Sequence, residues 1–145
     1  TRRAVRGAQL CTPRARRPQA TCKPRCEIAA GANTMTSLTT RTCVPCEGGV
    51  TPLSRVGAAE LMHKLHAHWR LAADNSDIRR AFSFPDFYHT MSFVNAVAHI
   101  ANTEDHHPDL EIGYNYCRVR YQTHAINGLH DNDFICAAKI DQLAI

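Results

Sequence analysis

Acidic residues are almost missing from the first 34 positions of this 145-residue chain, where Glu27 stands alone against eight Lys and Arg. That segment carries +7 and residues 35–145 carry −3, so the formal +4 does not describe a basic domain. The pI near 8.8 is therefore no argument for direct nucleic-acid binding. Long apolar runs are missing too. None approaches the roughly 20 residues that span a bilayer, which excludes a membrane-crossing helix and gives no reason to expect a membrane partner. The seven cysteines are odd in number and show no regular pairing. That speaks against a secreted disulfide scaffold and for a reducing, cytoplasmic setting. No internal repeat is visible. At 44% hydrophobic and 21% charged residues the chain is neither collagenous nor broadly disordered, and its length allows one ordinary domain.

Residues 1–34 interleave arginines with Pro13, Pro18 and Pro24, and Val5, Leu10 and Ile28 show no helical or strand period. Such a segment cannot bury enough surface to offset its ordering entropy. The expectation is a disordered basic extension outside the native domain, which would start at Met35. An organelle transit peptide and a basic arm for nucleic acid are the alternatives. Residues 35–52 read as a loop-like arm holding Cys43-Val44-Pro45-Cys46. That cysteine pair admits a zinc site with Cys22 and Cys26, a redox pair, or unligated thiols in a flexible arm, and the last is preferred. No part in catalysis is expected for Cys43 or Cys46.

From residue 53 to the end the pattern is that of a folded domain. Leu53 to His66 is a helix with Leu53, Val56, Leu61, Met62 and Leu65 near one stripe, capped by Thr51 or Ser54. His68–Leu71 is a short strand, and Ile78 to Phe84 alternates as a second, joined to the first by the turn residues Asp74-Asn75-Ser76-Asp77. Pro85 suits a first helical residue. Phe87, Tyr88, Met91, Val94, Val97, Ala98 and Ala101 then follow at helical steps to about Glu104. Pro108 ends that helix. A short strand near Leu110–Ile112, a reversal at Gly113-Tyr114-Asn115 and an alternating strand through Cys117, Val119 and Tyr121 come next. Asp131 or Asn132 caps a last helix through Phe134 and Leu143. The order helix, two strands, helix, two strands, helix implies an α+β fold, an antiparallel sheet with helices on one face.

Nine histidines are many for this length. His63, His66 and His68 cluster, but no carboxylate or cysteine at ligand spacing joins them. His89 and His99 read as surface residues of the long helix, and His130 as turn packing. His106-His107-Pro108 differs, because two imidazoles end a helix where free carbonyls and the macrodipole favour a protonated ring. Glu104 and Asp105 push the same way. If the chain reverses near Tyr114, His124 returns close to that helix end. Imidazole is the natural proton shuttle near neutral pH. On spacing alone the three histidines admit a proton-transfer site, a structural role, or a zinc site.

The stretch Glu104-Asp105-His106-His107-Pro108, five residues, Tyr114-Asn115-Tyr116, six residues, Thr123-His124 resembles the signature of the pterin-4a-carbinolamine dehydratases. Phe82-Ser83-Phe84-Pro85-Asp86-Phe87, Ser92-Phe93-Val94-Asn95-Ala96-Val97-Ala98 and Gly128-Leu129-His130-Asp131-Asn132-Asp133-Phe134-Ile135 add to the likeness, which covers about Met35 to Ile145. One departure is Asn102, where several relatives carry glutamate. The resemblance implies a four-stranded antiparallel sheet with three helices on one side, as homodimers or homotetramers. It implies dehydration of a 4a-hydroxytetrahydropterin made by an aromatic amino-acid hydroxylase, with no metal and no organic cofactor. His106, His107 and His124 would then be the catalytic acid and base. Asp105, Pro108 and Trp69 would contact the pterin, Trp69 by stacking. A dimerising scaffold or transcriptional coactivator is the second role the resemblance allows.

Overall fold

The computed structural model describes residues 37–45 and 50–143; the expectations for residues 1–34 and for Cys46 lie outside these. Helix α1 (Arg55–Met62) is followed by strands β1 (Arg70–Leu71) and β2 (Ile78–Ser83) and helix α2 (Phe87–Glu104). Strands β3 (Asp109–Ile112) and β4 (Tyr116–Tyr121) and helix α3 (Asp131–Ile140) complete the order. The strands form one antiparallel sheet, β1-β2-β4-β3, so the α+β architecture expected from the sequence is the one observed. Among the described residues no helix is long and apolar enough to cross a membrane.

The two-residue period decides which sheet face is covered. Ile78 lies opposite Tyr121 and Phe82 opposite Cys117, and all four are buried. The alternate pairs, Arg79 with Arg120 and Ala81 with Arg118, fall on the other face. Phe93, Val94, Val97 and Ala101 of α2 and Phe134, Ile135, Ala138 and Ile140 of α3 complete the core. Phe82 and Phe93 bring their rings to 4.5 Å between centroids across this layer. Each large apolar side chain so buried is worth about 1.5–3 kcal/mol. Gly113 turns the β3–β4 hairpin under the Tyr116 ring, where an added Cβ would lie 2.1 Å from the ring's edge.

Several element ends differ from expectation for local reasons. Ser54 caps α1 by accepting from the Gly57 amide at 3.2 Å, but the helix stops at Met62. Tight turns from Lys64 N to Leu61 O and from Leu65 N to Met62 O then swing Leu65 and Trp69 into the core. Val56 points outward at 71% exposure, and Ala58 takes the buried position. Helix α2 begins after Pro85, because the Asp86 carboxylate accepts from the His89 amide at 2.9 Å and serves as its cap. Neither Asp131 nor Asn132 caps α3; His130 does, in a reciprocal capping box with Asp133.

The described part of the 35–52 stretch is loop-like, yet it is fastened to the domain rather than flexible. A 3-10 turn at Leu38–Thr40 buries Leu38 to 3% exposure. Arg41 pairs with Asp131 at 2.6 Å. The Cys43 amide donates to Glu104 at 2.8 Å, and the Asn132 side chain bonds both the amide and the carbonyl of Val44, at 3.2 and 2.7 Å.

Candidate active site

Helix α2 ends by a left-handed residue, Asp105, at φ 49°. The His106 amide turns back to the Ala101 carbonyl at 3.1 Å, closing a Schellman-type end. This reversal sends the adjacent side chains of His106 and His107 into different surroundings. Pro108 follows, half-buried, and opens the way into β3. Asp109 pairs in register with Arg120, and that register carries β4 back so that Thr123 and His124 arrive beside the helix end.

His106 is largely covered, its side chain 10% exposed. Its Nε2 donates to Asp133 Oδ1 at 2.8 Å, since an ionised carboxylate can only accept. Its ring lies nearly parallel to Tyr121, 7° apart with centroids 5.6 Å apart. Burial alone would push the imidazole toward its neutral form. The hydrogen bond and charge of Asp133 outweigh burial and raise its pKa above the ordinary 6.5. Asp133 itself is fully buried at the start of α3. Its second oxygen, Oδ2, accepts from Thr123 Oγ1 at 2.9 Å and from the His130 amide at 2.7 Å. One carboxylate thus ties the His106-His107 segment to the Thr123-His124 segment.

His107 and His124 are exposed. His107 Nε2 lies 3.3 Å from the side-chain Oδ1 of Asn102, which accepts from an imidazole N–H. His124 begins a 3-10 turn, His124–Ile126, inside a loop closed by the Thr123–Gly128 bridge and by left-handed Asn127. Its Nε2 lies 3.9 Å from Asp109 Oδ1, an ion contact only when the ring is protonated.

The other expected positions divide. Asp105 is exposed at the helix end, beside the histidines. Trp69 is not a site residue: it is 2% exposed and its Nε1 donates to Asp141 at 2.8 Å. Asp141 also takes the His66 amide and the Arg80 guanidinium, so the indole is fixed in the core, where no planar ligand can stack on it. Among the described residues no group of three or more His, Cys, Asp or Glu is placed to hold a metal ion; His66 and His68 meet edge to face at 4.7 Å. Asp133 was not singled out by the sequence reading. The signal for it, Asp three residues after His130, is a capping-box spacing that ordinarily marks an exposed helix start.

The family model for pterin 4 alpha carbinolamine dehydratase matches residues 51–143. A Legionella pneumophila protein named "Putative pterin-4-alpha-carbinolamine dehydratase" is 56% identical over 112 residues, 77% of this chain and 99% of that protein. A protein of the same name from Nitrosomonas eutropha is 58% identical over 108 residues, 74% of this chain and 94% of that one. Among solved structures, a Brucella melitensis protein described as a transcriptional coactivator/pterin dehydratase superposes with TM-score 0.58 at 30% identity. That match covers 62% of this chain and 95% of the other.

Proposed function

The chain belongs to the pterin 4 alpha carbinolamine dehydratase family, and on that premise we propose that it is a hydro-lyase acting on 4a-hydroxytetrahydropterins. The products are the quinonoid dihydropterin and water. The N5 proton goes to a base, the N5 lone pair forms the C4a=N5 bond, and the C4a–O bond breaks. The hydroxyl leaves as water once an acid has protonated it. No electrons enter or leave, so the reaction asks for two proton-transfer groups and a scaffold that sets their spacing.

The observation that carries this reading is the Asp133 carboxylate, which holds His106 on one oxygen and Thr123 on the other. It fixes two distant segments so that the exposed imidazoles of His107 and His124 stand at the same end of the sheet. His107 and His124 move the protons. His106, its pKa raised because Asp133 outweighs burial, anchors the helix end beside them. Asp105 and Pro108 border the pterin. By its chemistry the enzyme would consume the product of an aromatic amino-acid hydroxylase, in the cytoplasm and as a homo-oligomer. A second reading, a dimerising scaffold or coactivator, is favoured by the double description of the Brucella melitensis protein.

The test is a stopped-flow assay of the purified chain on 4a-hydroxytetrahydropterin generated enzymatically in the cuvette. Dehydration well above the uncatalysed rate is expected. A rate equal to background would reject the hydro-lyase and leave the scaffold reading.

A further inference from the structure

Cys43 and Cys136 are 93 positions apart in sequence, yet their sulfurs lie 3.5 Å from each other. Cys136 is fully buried in the middle of α3, and Cys43 is half-buried in the arm that crosses it. The backbone on both sides of Cys43 is held in place by the buried Leu38, the Arg41–Asp131 pair and the Asn132–Val44 hydrogen bonds. The two thiols therefore meet as a fixed pair rather than by chance encounter. A disulfide requires about 2.05 Å between the sulfurs, so the pair has to close by roughly 1.5 Å.

We propose that Cys43 and Cys136 form a reversible, peroxide-sensitive disulfide that staples the arm to α3. Nothing in pterin dehydration uses either sulfur, although Cys136 Sγ lies 4.0 Å from the His106 carbonyl oxygen.

The two thiols stand within hydrogen-bond distance, and either sulfur can donate to the other. Of the pair only Cys43 is open to solvent, so its sulfur takes the first step, and its proton passes to the departing peroxide oxygen. That sulfur attacks one peroxide oxygen, the O–O bond breaks and water leaves, giving a sulfenic acid on Cys43. The Cys136 sulfur then attacks the Cys43 sulfur. An S–S bond forms, the S–O bond breaks, and the hydroxide takes a proton to leave as the second water. Two thiols lose two electrons and one peroxide gains them. A small thiol such as dithiothreitol reverses the reaction by exchange.

The test uses the full chain, treated with a few equivalents of hydrogen peroxide, blocked with N-ethylmaleimide and digested without reduction for mass spectrometry. The expected product is one cross-linked peptide pair joining Cys43 to Cys136, two hydrogens lighter than the thiols and released by dithiothreitol. The bond closes a loop of roughly 90 residues, so the oxidised wild type should melt at least about 5 °C higher than the reduced. Cys43→Ser, a half-buried position that keeps the fold, should lose both the cross-link and the rise in Tm. A Cys43–Cys46 linkage would overturn the proposal. So would a Cys43 that over-oxidises while Cys136 stays a free thiol, or zinc bound stoichiometrically to the untreated protein and lost with Cys43→Ser.

Discussion

Asp133 shows why one buried carboxylate decides more than the three imidazoles around it. It accepts from His106, Thr123 and the His130 amide at once, and removing it takes that shared acceptor from all three. Breaking a buried ion pair from one side costs about 3–5 kcal/mol, so Asp133→Ala should lower unfolding stability by about that much in urea. His106 binds its proton more tightly in the folded than in the unfolded chain. The native state therefore holds more protons, and stability falls as pH rises. The contribution is complete below the unfolded value of 6.5 and disappears as pH passes the raised folded value. Wild type should lose stability across that window, and Asp133→Asn should flatten the loss. A stability curve for Asp133→Asn that parallels wild type from pH 5 to pH 9 would remove Asp133 as the cause. The sequence could not show this, because His-His-Pro and Thr-His announce themselves as chemistry whereas Asp133 sits at the spacing of an ordinary helix cap. Nor could it show that His106 is packed. Spacing treats the two adjacent histidines alike, and only the left-handed turn at Asp105 separates them.

At the level of elements, the helix end carrying His106 and His107 depends on that turn. Asp105 adopts φ 49°, which a residue without Cβ adopts freely and a β-branched one resists. Asp105→Gly should hold stability within about 0.5 kcal/mol, while Asp105→Val should cost about 1–2 kcal/mol and slow turnover by moving both histidines. Thermal melts and the dehydration assay separate the two effects. An Asp105→Val variant with unchanged Tm would show that the turn is not what fixes this end. The central helix, the strand alternation and the hairpin were legible because periods of 3.6 and 2 write burial directly into the order of residues. The ends were not. Pro85 looked like a first helical position, but the Asp86 carboxylate was the stronger local acceptor. Helix α1 stopped short because Trp69 had to reach Asp141, a contact between residues far apart in sequence.

For the molecule as a whole, the charge asymmetry and the packing mark different boundaries. Residues 1–34 carry +7 without an apolar period, so a chain starting at Met35 should keep its Tm and activity. A loss of several degrees would contradict this. Trimming further, past Leu38, should cost about 2 kcal/mol or more, because that side chain is buried against the core. The loop-like character of residues 37–45 was readable, but their attachment to α3 was not, since it rests on single hydrogen bonds rather than on a pattern. Trp69, which the resemblance set against the pterin, is buried instead, because its indole N–H reaches Asp141 across the core. In the proposed mechanism His107 and His124 act together in moving protons at the pterin. General acid or base catalysis by one side chain is worth about 10²–10⁴-fold. The most direct measurement is the dehydration rate, corrected for the uncatalysed reaction, of His107→Ala, His124→Ala and the double variant, with Tm recorded for each. Each single change should slow turnover by about 10²-fold or more at nearly unchanged Tm. The double change should fall well short of the product of the two losses, because both groups serve one transition state. Near-full activity in both single variants would contradict that mechanism.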